Sequence, residues 1–213
     1  MGQYLGRRDL LKGFFIGALT GVVSCSGLEK YELDSKKQVY LKNYPILDMD
    51  GNCVDFKNSF LKKKSLECGR LIDYLSLSKK HSLLTFRSYQ CGRCEEDIAY
   101  IENIFEKNKD KLQVVGINMF DERSKSSYIP WTKMHLLEKN ITFKNFMMSR
   151  KAMGNVFSDL EDFTGEIKLF PLSVIVDNSM RVVYSTGAIF TNNFQDYSKN
   201  RVNLEKAIEY IVD

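Results

Sequence analysis

The sequence SYQCGRCEED, residues 88–97, places two cysteines three residues apart between an apolar stretch and an acidic one. The apolar run SLLTF, residues 82–86, has the length of a buried strand. After the second cysteine, apolar residues recur with helical spacing at Ile98, Ile101 and Phe105. Acids near the start of this segment and lysines near its end are typical of an amphipathic helix. The cysteine pair is therefore predicted at the junction where a buried strand turns into a helix.

Two cysteines at this spacing could be a redox pair, half of a metal site, or two packed thiols. At the amino terminus of a helix, unpaired backbone N–H groups and the helix dipole favour a thiolate, which is the attacking species. On this interpretation Cys91 is the nucleophile. Cys94, one turn further in, is the resolving thiol that attacks the mixed disulfide and closes the bond to Cys91.

Two charged neighbours could support this chemistry. Arg93 adds positive charge beside the pair, which would stabilise a thiolate. Asp97, one turn beyond Cys94, could exchange the proton that Cys94 must lose or gain. The alternatives are that Arg93 is a solvated side chain, and that the acids Glu95, Glu96 and Asp97 only complement the helix terminus.

The rest of the chain predicts alternating strands and helices. The predicted elements are a strand at LQVVGINMF (112–120), a helix at PWTKMHLLEKN (130–140), a second helix at KAMGNVFSDL (151–160), a hairpin of LSVIVD (172–177) and RVVYSTG (181–187), and a closing helix with Leu204, Ala207, Ile208 and Ile211 on its apolar face. Alternation followed by a hairpin implies an α/β fold with a mixed central sheet flanked by helices. In front of them, Asp50-Gly51 predicts a hairpin turn, and residues 60–80 a loop and short helix.

The amino terminus is typical of an exported protein. Its first residues carry Arg7, Arg8 and Lys12, and about ten mostly apolar or small residues follow, a run too short to span a bilayer comfortably. GRRDLLK resembles a twin-arginine export motif, and VVSC resembles a bacterial lipobox, which implies that Cys25 is acylated. The alternative is a short amphipathic helix of the folded protein.

These features divide the chain into three parts. Residues 1–24 are predicted to be a signal peptide with a lipobox, residues 25–38 a polar, lipidated tether, and residues 39–213 the folded domain. The predicted location is the cell envelope, held to a membrane by lipid. The formal net charge is +4, and the basic residues are dispersed, which excludes nucleic acid as an expected partner.

Five cysteines are present in the sequence. If Cys25 carries lipid, Cys53 and Cys68 remain beside the central pair, and an even number is compatible with disulfides in an exported protein. A Cys53–Cys68 bond would close a loop of about 15 residues and contribute about 3 kcal/mol. Two separate, partly buried thiols are the alternative.

The element order, the Cys-x-x-Cys pair at a strand-to-helix junction and the proline in FPLSVIVD resemble the thioredoxin fold. The predicted amino-terminal hairpin and the helical insert before FPLSVIVD resemble the TlpA/ResA-like family of membrane-anchored thiol:disulfide oxidoreductases. The likeness covers about residues 39–213. It implies an enzyme with a redox-active disulfide and no further cofactor. Its partners would be cysteine-containing envelope proteins and a membrane or soluble thiol redox partner.

The resemblance also implies that Pro171 is a cis-proline, which would present the backbone of Phe170 to an extended substrate beside Cys91. The chain departs from the usual WCxPC motif, because it has Gln90 and Arg93 in place of Trp and Pro. Thr85 stands where thioredoxin carries a buried Asp. Asp97 matches the acid that ResA-like members place three residues after the second cysteine, and Phe170 replaces the usual small or branched residue.

Other functions have weaker support in the sequence. Structural zinc sites have two closely spaced cysteine pairs, and Cys53 and Cys68 are far apart in sequence. Copper delivery by a thioredoxin-like protein needs a histidine with the cysteines, and the chain has only His81 and His135. A peroxidase would have Pro and Thr shortly before its cysteine. A redox-inactive binding lipoprotein is the remaining alternative.

Overall fold

The computed structural model describes residues 38–54, 69–164, 170–186 and 194–212. The elements in chain order are α1 (Leu71–Leu75), β1 (His81–Ser88), α2 (Gly92–Asn108), β2 (Leu112–Phe120), α3 (Lys125–Glu138), β3 (Lys144–Ser149), α4 (Arg150–Thr164), β4 (Leu172–Val176), β5 (Val182–Ser185) and α5 (Phe194–Val212). The predicted signal peptide and most of the predicted tether lie outside the described residues.

The strands form one five-stranded sheet in the order β3-β2-β1-β4-β5. β1 pairs in parallel with β2, and β2 with β3, whereas β4 runs antiparallel to both β1 and β5. The sheet is therefore mixed, as predicted. β1 is central, and from Ser82 to Ser88 every residue is buried. This burial on both faces explains why the strand reads as an apolar run rather than an alternating one.

The two faces of the sheet have different characters. On one face, Leu84 and Phe86 of β1 pack in a large apolar core with α1 and α4. Side chains of the intervening residues of β1 point to the opposite face, because successive side chains of a strand alternate. That face is covered by α2 and α3, and it contains buried polar groups, including Arg87 and Asn118. Helix α2, which begins at the cysteine pair, therefore packs on the polar face.

Strand β3 and the start of α3 differ from the sequence prediction. β3 pairs with β2 at the sheet edge, although its KNFMMS sequence has no alternation by which it could be recognised. Helix α3 begins at Lys125, so Pro130 lies inside the helix and not in its first turn. Pro130 and Ser126, whose carbonyl loses its i+4 donor, are both exposed, so water can solvate that carbonyl.

The predicted amino-terminal hairpin is present as a turn with one bridge. Gly51 has φ of 79°, as a glycine at this turn allows, and Leu47 pairs with Cys53 across it. Leu47 also exchanges two backbone hydrogen bonds with Met147, each of 2.9 Å. This segment therefore covers part of the exposed edge of β3, which would otherwise present unpaired backbone groups.

Candidate active site

The cysteine pair lies where the sequence predicts it. β1 ends at Ser88, a short turn follows, and Cys91 is the N-cap of α2. The backbone N–H of Cys91 donates to the Ser88 carbonyl at 3.1 Å. The N–H of Cys94 lies 3.2 Å from the Cys91 sulfur, which accepts it. Because this contact satisfies a backbone donor of the first turn, the helix terminus stabilises negative charge on that sulfur.

Cys91 and Cys94 are joined by a disulfide, and their Cα atoms are 5.3 Å apart. The two sulfurs differ in access, because Cys91 is half-buried whereas Cys94 is only 5% exposed. Cys91 is therefore the sulfur that a substrate can approach. Arg93 is exposed between them on the first turn of α2.

Asp97 is buried one turn beyond Cys94, on the same side of α2. Its carboxylate accepts a hydrogen bond from Arg201 Nε at 3.2 Å, and Arg201 also donates to the Glu96 carbonyl at 3.0 Å. The Arg201 guanidinium lies over the ring of Tyr100, 4.8 Å from its centroid. Asp97 is thus part of an ion pair between α2 and α5, which sequence spacing could not indicate because its partner is 104 residues away.

The Phe170–Pro171 peptide bond is cis, as the resemblance predicted. Pro171 precedes Leu172, the first residue of β4, and Leu172 pairs with Phe86 of β1. The cis bond therefore lies at the end of the sheet where β1 leads into the cysteine pair. Phe170 is half-buried, with its ring 5.2 Å from that of Phe157.

A small cavity is bordered by Cys94. Its volume is about 30 Å³, and it is bounded by residues of β1, β2, α2 and α3, among them Arg87, Cys94, Asn118, Thr132 and His135. Among the described residues, neither the Arg87 Nε nor the Thr132 hydroxyl has a hydrogen-bond partner, and both are buried. Arg87 is not among the site residues predicted from the sequence, although a basic residue that directly continues a buried apolar run is unusual enough to be a signal.

Aromatic side chains of α3 flank the pair. The Tyr89 ring, just before the cysteines, contacts Tyr128 and lies 5.4 Å from Trp131. Trp131 stacks on His135 with ring centroids 5.0 Å apart. All four side chains are half-buried. Trp131 is the single tryptophan of the chain and borders the same cavity as Cys94, so its fluorescence is a natural reporter of the cysteine pair.

The other predicted site residues are not brought together with this pair. Cys53 is exposed beside the amino-terminal turn, and Cys68 and Cys25 lie outside the described residues, so the Cys53–Cys68 bond and the lipidation of Cys25 stay predictions. His81 begins β1, at the end of the strand opposite the cysteines. Within the described residues no cluster of three histidine, cysteine or acidic side chains could hold a metal ion.

The fold is shared with solved thiol:disulfide interchange proteins. A Bacteroides protein of that description is 17% identical, with a TM-score of 0.51 over 81% of this chain and 90% of that one. A putative thiol:disulfide interchange protein DsbE from Chlorobium tepidum is 15% identical, with a TM-score of 0.51 over 83% and 98%. An uncharacterised thioredoxin-like protein from Porphyromonas gingivalis is 13% identical, with a TM-score of 0.51 over 81% and 91%.

The chain has a thioredoxin-like fold. No protein-family model matches the sequence, and no curated protein sequence is similar to it. At these identities the likeness shows the architecture, whereas the chemistry of this chain depends on its own cysteine pair.

Proposed function

We propose that this chain is a thiol:disulfide oxidoreductase that reduces or exchanges disulfides in cysteine-containing proteins of the cell envelope. The observation that carries this proposal is the Cys91–Cys94 disulfide at the start of α2, with one sulfur accessible and the other buried. A purely structural disulfide needs no such difference in access, whereas an exchange reaction uses it to order its two steps.

The reaction begins from the dithiol form. The Cys91 thiolate attacks a substrate disulfide, forms a mixed disulfide, and releases one substrate thiolate. Cys94 then loses its proton and attacks the Cys91 sulfur, which closes the 91–94 bond and releases the second substrate thiolate. Two electrons pass to the substrate, and the protons lost by the two thiols are taken up by the two leaving thiolates. The reverse sequence oxidises a substrate dithiol.

The backbone of Phe170 is placed where it could meet an extended substrate. Phe170 precedes β4 at the end of the sheet that carries the cysteines, so its backbone can pair with a substrate segment that lies across Cys91. Backbone pairing reads no side chains, so this contact would suit an enzyme that acts on several proteins. The half-buried aromatic side chains of Tyr89 and Trp131 offer additional contact area beside it.

We further propose that lipid on Cys25 holds the enzyme at a membrane, on its extracytoplasmic side. The support is the sequence VVSC after an apolar run, together with the polar tether that follows. Among the residues that the structure describes, no helix has both the length and the apolar character needed to cross a bilayer.

The redox proposal is tested with the full chain purified in detergent. After mild reduction we expect two thiols at positions 91 and 94 to appear together, and to disappear together when a protein disulfide such as that of insulin is added. Alkylation followed by peptide mass spectrometry measures this exchange. Cys91→Ser should abolish it, whereas Cys53→Ser is the matched control that should not. If the two thiols never change state together, the chain is not an oxidoreductase.

A further inference from the structure

Arg87 is a buried cation at the active site that the reaction outlined above does not use. It follows Phe86 near the end of β1, the strand that leads into the cysteines, and it is 4% exposed. Its Nη2 donates to Asn145 Oδ1 at 2.5 Å, and its guanidinium lies over the ring of Phe143, 5.6 Å from the centroid. Its Nε has no partner among the described residues.

Neighbouring residues fix the position of the Arg87 side chain. Asn145 is itself fixed, because its amide donates to the Phe143 carbonyl at 2.7 Å and its oxygen also accepts from Asn118 at 3.3 Å. On β2 the position between them is Gly116, where a Cβ atom would lie 2.5 Å from Arg87 Nη2 and 2.0 Å from Asn145 Oδ1. Only a residue without a side chain leaves room for this pair.

Arg87 remains charged at neutral pH. Burial lowers the pKa of its guanidinium to about 10, and the negative charge of Asp97 opposes that change. A buried charge is costly unless an opposite charge and hydrogen bonds stabilise it. The neutral amide of Asn145 satisfies a donor but does not neutralise the charge.

Among the described residues around Cys94, one buried carboxylate, that of Asp97, opposes the buried positive charge of Arg87. Asp97 on α2 is already paired with the half-buried Arg201 on α5, so its charge is shared between two guanidinium groups. Glu95, which also borders the cavity, is exposed and therefore screened by water. From α3, His135 borders the same space and adds no negative charge.

We propose that Arg87 is a positioning residue whose buried positive charge stabilises the Cys94 thiolate. This inference rests on the proposed function. Arg87 and Cys94 border the same cavity of about 30 Å³, which has room for at least one water molecule. Such a water could accept from Arg87 Nε and the Thr132 hydroxyl and donate to the sulfur. In a water-poor interior the attraction between the two charges is strong.

This arrangement assists the resolving step. Cys94 must lose its proton before it attacks the Cys91 sulfur in the mixed disulfide, and burial alone would make that loss unfavourable. The Arg87 charge offsets the burial without taking the proton itself, and the proton passes to the leaving substrate thiolate. Because the charge favours the reduced form over the neutral disulfide, it also makes the pair more oxidising.

The test measures the thiol:disulfide equilibrium of the full chain against glutathione, with alkylation and mass spectrometry to count the two forms. Arg87→Met removes the charge and should shift the equilibrium about tenfold toward the disulfide, which corresponds to a potential about 30 mV lower. Arg87→Lys keeps the charge and should stay within about threefold of the native value. Leu136→Met alters an apolar side chain of the same cavity without changing charge, and it should stay within about twofold.

Equal shifts in Arg87→Met and Arg87→Lys, or no shift in Arg87→Met, would overturn the proposal. A second measurement does not depend on whether the Arg87 variants fold. In the Cys91→Ser variant, with Cys91→Ser/Cys94→Ser as the blank, the pKa of Cys94 should lie below the ordinary thiol value of about 8.5 despite burial. A higher value would refute the proposal. Neither measurement involves a protein substrate, so failure here is distinguishable from failure of the proposed function.

Discussion

The close approach at Gly116 gives the sharpest stability prediction. In Gly116→Ala the new Cβ would meet Asn145 Oδ1 at 2.0 Å and Arg87 Nη2 at 2.5 Å. Asn145 cannot simply rotate away, because its Nδ2 donates to the Phe143 carbonyl and its Oδ1 accepts from Asn118 Nδ2. Overpacking a rigid core costs about 1–3 kcal/mol, and a buried donor or acceptor left unpaired costs about 1–3 kcal/mol more. We therefore expect the free energy of unfolding to fall by about 2–6 kcal/mol.

Gly154→Ala is the matched control for this substitution. Gly154 lies within α4, it is exposed, and nothing stands within 4 Å of the position that its Cβ would occupy. Replacing a helical glycine by alanine should raise the free energy of unfolding by about 0.5–1 kcal/mol. The two changes add the same methyl group, so the opposite signs isolate the effect of its surroundings.

Urea denaturation followed by circular dichroism measures both variants, with the Cys91–Cys94 bond kept oxidised throughout. For a domain of this size, each kcal/mol lowers the melting temperature by about 2–4 °C, so Gly116→Ala should melt about 4–24 °C below the native chain. If Gly116→Ala is as stable as Gly154→Ala, Arg87 and Asn145 do not approach Gly116 as described, and the buried site built around Arg87 is wrong.

Three other predictions concern catalysis, anchoring and acid stability. Cys94→Ser should accumulate a mixed disulfide through Cys91, because the resolving attack is missing. Non-reducing gels of captured complexes test this. Trapping through Cys94 in a Cys91→Ser variant would show that the two cysteines have the opposite roles. Cys25→Ala should move the protein from the membrane fraction to the soluble fraction, and unchanged fractionation would contradict the lipid anchor. Asp177 is partly buried, which raises its pKa, but hydrogen bonds from Ser179 and Arg181 outweigh this and hold the pKa below 3.8. Its contribution to stability is therefore present above pH 3.8 and lost as pH falls below it. Between pH 5 and pH 2, the free energy of unfolding should fall less in Asp177→Asn than in the native chain. Equal losses in urea titrations would refute this.

The sequence was sufficient to predict the elements whose burial is continuous along the chain. β2 spans the predicted residues Leu112–Phe120, and β1 and the β4–β5 hairpin also appear where apolar runs predicted them. β3 was missed because KNFMMS is a short segment at the sheet edge with four successive buried residues and no period. Whether such a segment forms a strand depends on its neighbour β2 and not on its own pattern.

Only part of the candidate site could likewise be predicted from the sequence. The positions of Cys91 and Cys94 follow from local geometry, because a capped helix after a buried strand places the first sulfur at the terminus and the second one turn inside. The partners of Asp97 and Arg87 could not be predicted, since Arg201 and Asn145 come from distant parts of the chain and are brought close only by helix docking and strand pairing. Long-range polar pairs leave no period in a sequence.

The buried polar face of β1 also suggests a physical consequence of one departure from the thioredoxin pattern, the neutral Thr85. Thr85, at the position where thioredoxin carries an acid, is fully buried, and its hydroxyl has no partner among the described residues. Two positions further on, the same face of the strand carries the Arg87 guanidinium beside Cys94. A buried carboxylate would raise the pKa of a neighbouring thiol, whereas a buried guanidinium lowers it. With the neutral Thr85 in place of an acid, no carboxylate on β1 opposes the Arg87 charge. The Cys91–Cys94 pair is therefore expected to be more oxidising than one with an acid at position 85.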